Sequence, residues 1–179
     1  MHILYILESD LQFRNLVPPE SQSFVDVVAQ FNGTPIAQSW QQLDLEFDPD
    51  SMHLPLGDFP SILLSHIPVF SVRAAESLEP LLRDNGELLP IRCNGDTYFA
   101  FNVTSVAPGL SKNSDIVYFP SGRIMHVKNY IIEHERLTSA AIFKLLEVPL
   151  MNVFVSDTFL KTVQRLNLSG FKFKSVQVS

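Results

Sequence analysis

Residues 68–106, PVFSVRAAESLEPLLRDNGELLPIRCNGDTYFAFNVTSV, decide how this chain is read. Ser71 stands where a helix N-cap belongs, because its hydroxyl can accept a free amide N–H of the first turn. Val72, Ala75, Leu78 and Leu82 then recur on one helical face. Asp84-Asn85-Gly86 supplies the stop, with Gly86 able to take the left-handed conformation. Pro80 falls inside this pattern and removes an internal bond, so a kink or break is expected near 76–79. Residues 87–93 and 97–106 flank Asn94-Gly95, a pair suited to a type I′ hairpin turn because both positions need positive φ. The stretch reads as helix, strand, turn, strand, and it holds no catalytic motif.

The rest of the chain follows the same alphabet. Residues 2–7 are a β-rich apolar run and read as a central strand. Pro18-Pro19 marks a turn or linker. Phe24, Val25, Val27, Val28 and Phe31 fit a short helix closed by Gly33, with strand as the alternative. Leu43, Leu45 and Phe47 alternate with Asp44, Glu46 and Asp48, a strand with one apolar and one acidic face. Pro49 and Pro55 break regular structure, so residues 49–60 read as a loop, 109–122 as a polar loop, and 123–132 as a strand. The run 140–146 is short and apolar, of undecided state. In the tail, 153–155 is a strand, Ser156-Asp157 an N-cap, and Phe159, Val163 and Leu166 a helical stripe. Gly170 ends that helix, and a closing strand follows. The expected fold is α+β, a mostly antiparallel sheet with two or more packed helices.

Composition narrows the function. A chain of 179 residues with 46% hydrophobic residues and 14 Phe has material for a large core without disulfides. Its single cysteine, Cys93, fits a reducing cytoplasm. No run approaches a membrane span, and no secretory leader is visible. The net charge of −6 is uneven. Residues 1–60 hold nine acids against one base, Arg14, whereas 61–179 hold ten acids and twelve bases. An acidic first third argues against nucleic acid and for a basic partner.

The search for chemistry returns little. Cys93 lies beside a tight turn with no nucleophile elbow, and reads as a small buried hydrophobe. His2, His53, His66, His126 and His134 lack paired spacing, and Glu133-His134-Glu135 puts its acids and its histidine on opposite strand faces. Pro49 stands where a calcium loop built on Asp44 to Asp50 would need glycine. No glycine-rich phosphate loop occurs. Neither a metal nor a cofactor is expected, and no enzyme activity. Trp40, the only Trp, precedes the acidic alternation. Aromatic anchors ringed by charge are typical of protein interfaces, while a packing role is the plainer reading.

PVFSVRAAESLEPLLRDNGELLPIRC, the FNVTSV of residues 101–106 and VFVSDTFLKTVQRLNLSGFKF together resemble an immunity-protein domain family of bacterial polymorphic toxin systems, formerly a domain of unknown function. The resemblance spans roughly residues 59–176, and its matched positions are structural ones. Residues 1–58 form an acidic N-terminal region outside it, part of the same domain or an appendage to an immunity-like domain at 59–179. The resemblance implies a cytoplasmic antidote without an active site that binds and blocks a cognate toxin. The charge pattern adds a candidate interface of Trp40, Asp44, Glu46, Asp48 and Asp50, docked on a basic toxin surface. The alternatives are a non-catalytic regulatory module and an enzyme using His126, Glu133 and His134.

Overall fold

The structure is a computed structural model that describes residues 3–19, 23–63, 65–136 and 139–179. Its elements begin with β1 (Leu4–Ser9), β2 (Leu16–Val17), α1 (Val25–Gln30), β3 (Leu43–Phe47), β4 (Val69–Ser71), α2 (Val72–Leu82) and β5 (Gly86–Cys93). There follow β6 (Asp96–Val103), β7 (Val106–Ala107), β8 (Asp115–Tyr118), β9 (Ile124–Asn129), β10 (Ile131–Ile132) and β11 (Ile142–Leu145). The chain closes with β12 (Val153–Ser156), α3 (Asp157–Arg165) and β13 (Phe171–Val178).

These strands make a six-stranded sheet, β10-β13-β1-β12-β11-β7, a five-stranded sheet, β2-β3-β5-β6-β4, and a separate pair, β8-β9. Seven of the strand pairs are antiparallel and three are parallel. With α2 and α3 packed on strands, the fold is α+β. Strands on both sides of residue 58 pair together: β1 lies between β12 and β13, and β3 lies beside β5.

Strand alternation sorts the core into layers. Leu7 and Val155 of the six-stranded sheet meet Ala74, Leu78 and Leu82 of α2, Phe159 and Val163 of α3, and Phe101 and Val103 of β6 in one cluster. Phe59 bridges them, stacked 4.5 Å from Phe171 and tilted 5.3 Å from Phe70. The opposite face of the six-stranded sheet buries Leu4, Ile6, Phe143 and Phe154 under Tyr130 and Ile132. The far face of the five-stranded sheet buries Leu45, Leu89, Ile91 and Ala100 under Phe24 and Phe31.

Several sequence expectations hold. The Ser71 hydroxyl accepts the Ala74 N–H, and the Ser156 hydroxyl accepts that of Phe159. Asn94 and Gly95 have φ of 49° and 93°, as the hairpin turn between β5 and β6 requires.

Others need correction. Helix α2 runs unbroken through Pro80, which stands near its C-terminal end, and Val72 faces solvent rather than the core. Gly86 is not a left-handed stop. It starts β5 opposite Val103, where a Cβ would come within 2.2 Å of the Asn102 carbonyl oxygen. Left-handed φ after α3 falls first on Asn167, at 49°, while Gly170 serves the approach to β13, its carbonyl accepting the Asp10 N–H. The loop at 49–60 contains a 3-10 turn, Pro49–Ser51. The polar loop 109–122 contains β8, and the strand expected at 123–132 is split into β9 and β10 around buried Tyr130. The second hairpin strand stops at Val103, and Val106 joins the other sheet through β7. His2 lies outside the described residues.

Candidate functional site

Strand β3 carries the acidic face. Leu45 is buried while Asp44 and Glu46 project to solvent. Asp44 lies opposite Arg92 in the parallel register, 4.0 Å from its Nε, in an exposed pair that contributes little to stability. Asp48 is turned inward to its own turn: its carboxylate accepts the Asp50 N–H at 3.0 Å and caps the short 3-10 helix. Asp50 is exposed.

Trp40 is held from behind. Its indole N–H donates to the Pro90 carbonyl at 3.0 Å, and its ring meets Phe31 edge-on at 5.8 Å. It supports the acidic strand rather than standing free beside it.

The segment 31–40, which leads into β3, is tied down along its length. Lys144 donates from its ammonium to the Phe31 carbonyl. The Asn102 amide donates to the Thr34 carbonyl and to the Glu87 carboxylate, both at 2.8 Å. Glu87 also accepts the N–H groups of Ile36 at 2.8 Å and Ala37 at 3.2 Å. Burial alone would raise the Glu87 pKa. The bonds from Ile36, Asn102 and Ala37 outweigh it and lower the pKa below the usual carboxylate value. Lys144 is 2% exposed, and burial pulls its pKa down to about 8. Gly33, at φ 97°, belongs to the same strap, and a Cβ there would come within 2.6 Å of Val106 Cγ2.

A second buried hub joins the helices. Asp58 accepts the Ser71 hydroxyl at 2.8 Å, the Arg73 guanidinium at 3.1 Å and the Ser169 N–H at 2.9 Å. Arg73 reaches on to the Leu166 carbonyl at the C-terminal end of α3, at 3.1 Å.

Catalytic candidates do not converge. Cys93 is fully buried, and burial, with Asp96 and Glu46 nearby, pushes its thiol up to about 11, away from the reactive thiolate. His126 is exposed on β9, whereas His134 opens a 3-10 turn just after β10. Among the described residues, no group of three or more His, Cys, Asp or Glu is placed to hold a metal ion. No described helix is long and apolar enough to cross a membrane.

Sequence reasoning missed Glu87, Asn102, Asp58 and Lys144. Only Lys144 left a signal, as the one charge inside the apolar run 140–146. No family model matches the chain, and a search among curated proteins returned no match.

Proposed function

We propose that the chain is a cytoplasmic immunity protein that binds a cognate bacterial toxin and neutralises it by covering a basic surface of the toxin. The carrying observation is the outward set of Asp44 and Glu46 on β3 and Asp50 in the 3-10 turn after it, next to a strand whose inner face and preceding strap are locked into the core. The uneven charge supports it, since nine acids lie among the first sixty residues. So does the family resemblance of 59–176. Complementary charge speeds encounter with a basic partner and excludes like-charged ones. A pre-ordered strand loses little entropy on docking. The activity asks for no catalytic group, cofactor, nucleic acid or membrane, only for occlusion.

The test is capture with this chain as bait in lysate of its source organism, followed by expression of the captured protein alone and together with this chain. A single stoichiometric partner, lethal alone and harmless in company, is the expected result. A captured partner that is harmless alone would overturn the antidote reading in favour of a regulatory module, and so would the absence of any stoichiometric partner.

A further inference from the structure

Strand β13 lies near one edge of the six-stranded sheet. From Phe171 to Val176 it pairs with β1 on one side, but on the other β10 reaches only Gln177 and Val178. Ser179 donates its N–H to the Ile132 carbonyl and accepts the His134 N–H, so its backbone groups face the β10 side. Backbone direction alternates along a strand, hence Phe171, Phe173 and Ser175 turn their N–H and carbonyl groups to that side as well. Among the described residues no backbone partner meets them there. The sheet is left with an open stretch of edge, a ready template for a further strand.

The side chains along this edge sort by face. Phe171 and Phe173 turn to the α3 side, half-buried and stacked 6.3 Å apart, with Phe171 also 6.5 Å from Phe159 of α3. Lys172 and Lys174 project exposed from the opposite face, level with Glu8 and Ile6 of β1. Upstream of β10 the chain stays unpaired with β13 and leaves a hollow of about 200 Å³, bordered by Lys128 on one strand and by Lys174 and Ser175 on the other. None of these lysines makes an ion pair among the described residues, and Glu8 is the one acid on the hollow's wall. The edge is therefore cationic in a chain whose net charge is −6.

We infer that the β13 edge receives an extended segment of a protein partner as an added strand, with acidic residues at alternate positions. Phe171, Phe173 and Ser175 supply the main-chain bonds, which carry affinity in this mode of recognition, and the side chains select the partner. Lys172, Lys174 and Lys128 take the acids on one face, and the partner's remaining side chains cover Phe171 and Phe173 on the other. Lysines on an edge strand ordinarily keep other strands away. Here they exclude a second copy of this chain, because antiparallel pairing centred on Lys172, Phe173 or Lys174 sets lysine against lysine. An acidic strand meets the same lysines with opposite charge. This surface is opposite in sign to the β3 face and goes beyond the antidote reading, which it does not require.

The experiment needs no toxin. Isotope-labelled full-length chain is titrated at low salt, by heteronuclear NMR, with the capped peptide Thr-Glu-Val-Glu-Val-Glu-Thr. Two controls run in parallel: Thr-Lys-Val-Lys-Val-Lys-Thr, and Thr-Glu-Glu-Glu-Val-Val-Thr, which keeps the charge and loses the alternation. Saturable shifts and slowed amide exchange are expected at Phe171, Phe173 and Ser175 with the first peptide alone. Lys172→Glu combined with Lys174→Glu, at two exposed positions, should weaken its binding about tenfold or more and admit the lysine peptide instead. Absence of saturable shifts overturns the inference, as do equal shifts with either control or undiminished binding to the double variant. Shifts of the same amides with protein concentration alone would assign the edge to a second copy, and their reproduction by inorganic phosphate would assign it to a small anion; both overturn the inference.

Discussion

Asp58 and Ser71 share one proton's direction: the Ser71 hydroxyl donates to Asp58 at 2.8 Å while accepting the Ala74 N–H at 3.1 Å. The carboxylate therefore aims the cap of α2, and through Arg73 and Ser169 it also fixes the chain leaving α3.

Removing that carboxylate should cost more than removing its cationic neighbour. Asp58 is 7% exposed, so Asp58→Ala leaves buried donors unmet and should lower stability by about 3 kcal/mol. The Arg73 side chain is 58% exposed, and Arg73→Gln should cost about 1 kcal/mol or less. Urea midpoints rank the two, and the reverse order would assign the hub to the guanidinium.

The strap 31–40 can be watched through Trp40, the sole Trp of the chain. Glu87→Ala frees the N–H groups of Ile36 and Ala37 and should shift Trp40 emission to the red before any loss of far-UV signal. Unchanged emission would mean that Pro90 and Phe31 hold the indole without help from Glu87.

Lys144 should write itself into the pH dependence of stability. Its pKa is about 8 in the folded chain against an ordinary 10.5, so between those values the unfolded chain holds the extra proton. Stability then rises with pH across that window, and the gain is lost as pH falls through 8. From pH 8 to 9 the gain should be about 1 kcal/mol. Lys144→Met should abolish this slope. Above pH 9 the buried Cys93 thiol, held protonated to about 11, acts in the opposite direction, so the lower window is the informative one.

Gly86→Ala is a steric test of the β5–β6 start. The new Cβ would meet backbone at 2.2 Å, which cannot yield as a side-chain tip can. A loss of about 1–3 kcal/mol is expected from overpacking. Gly95→Ala has open space around its Cβ and differs only through its φ of 93°, so its loss should be smaller.

On the antidote reading proposed above, reversal of charge at Asp44, Glu46, Asp48 and Asp50 to Lys should slow association with a toxin partner, most at low salt. Stopped-flow rates across ionic strength measure it. Unaltered rates together with intact protection would remove β3 from the interface.

What the sequence disclosed was what neighbours in the chain decide. The caps at Ser71 and Ser156 and the Asn94-Gly95 turn are set by contacts three residues apart or fewer, and all three were legible. The separate strand β7, the break between β9 and β10, and the pairing of both short strands were not, because their partners β11 and β13 lie apart from them in the sequence and two residues carry no period. Asp58 looked like one more loop acid, since its partners sit from 13 to 111 residues away. Gly86 misled for a related reason: the demand on it is a carbonyl from another strand, not its own φ. At the candidate interface, the alternation of 43–47 gave the outward acids correctly, while the anchoring of Trp40 to Pro90 depended on pairing that no local pattern reveals.

Strand β1 is made before both of its neighbours, β12 and β13, which lie far along the chain from it: Tyr5 pairs with Val155 on one side and Ser175 on the other. Such wiring gives a high contact order and a slow fold. During translation, Leu4, Ile6 and Leu7 emerge with no sheet to join and stay open to chaperones or to stray strand pairing until the tail arrives. The six-stranded sheet would then stay incomplete for the time β12 and β13 take to appear. A delay between the synthesis of β1 and the completion of its sheet is thus built into the order of the strands.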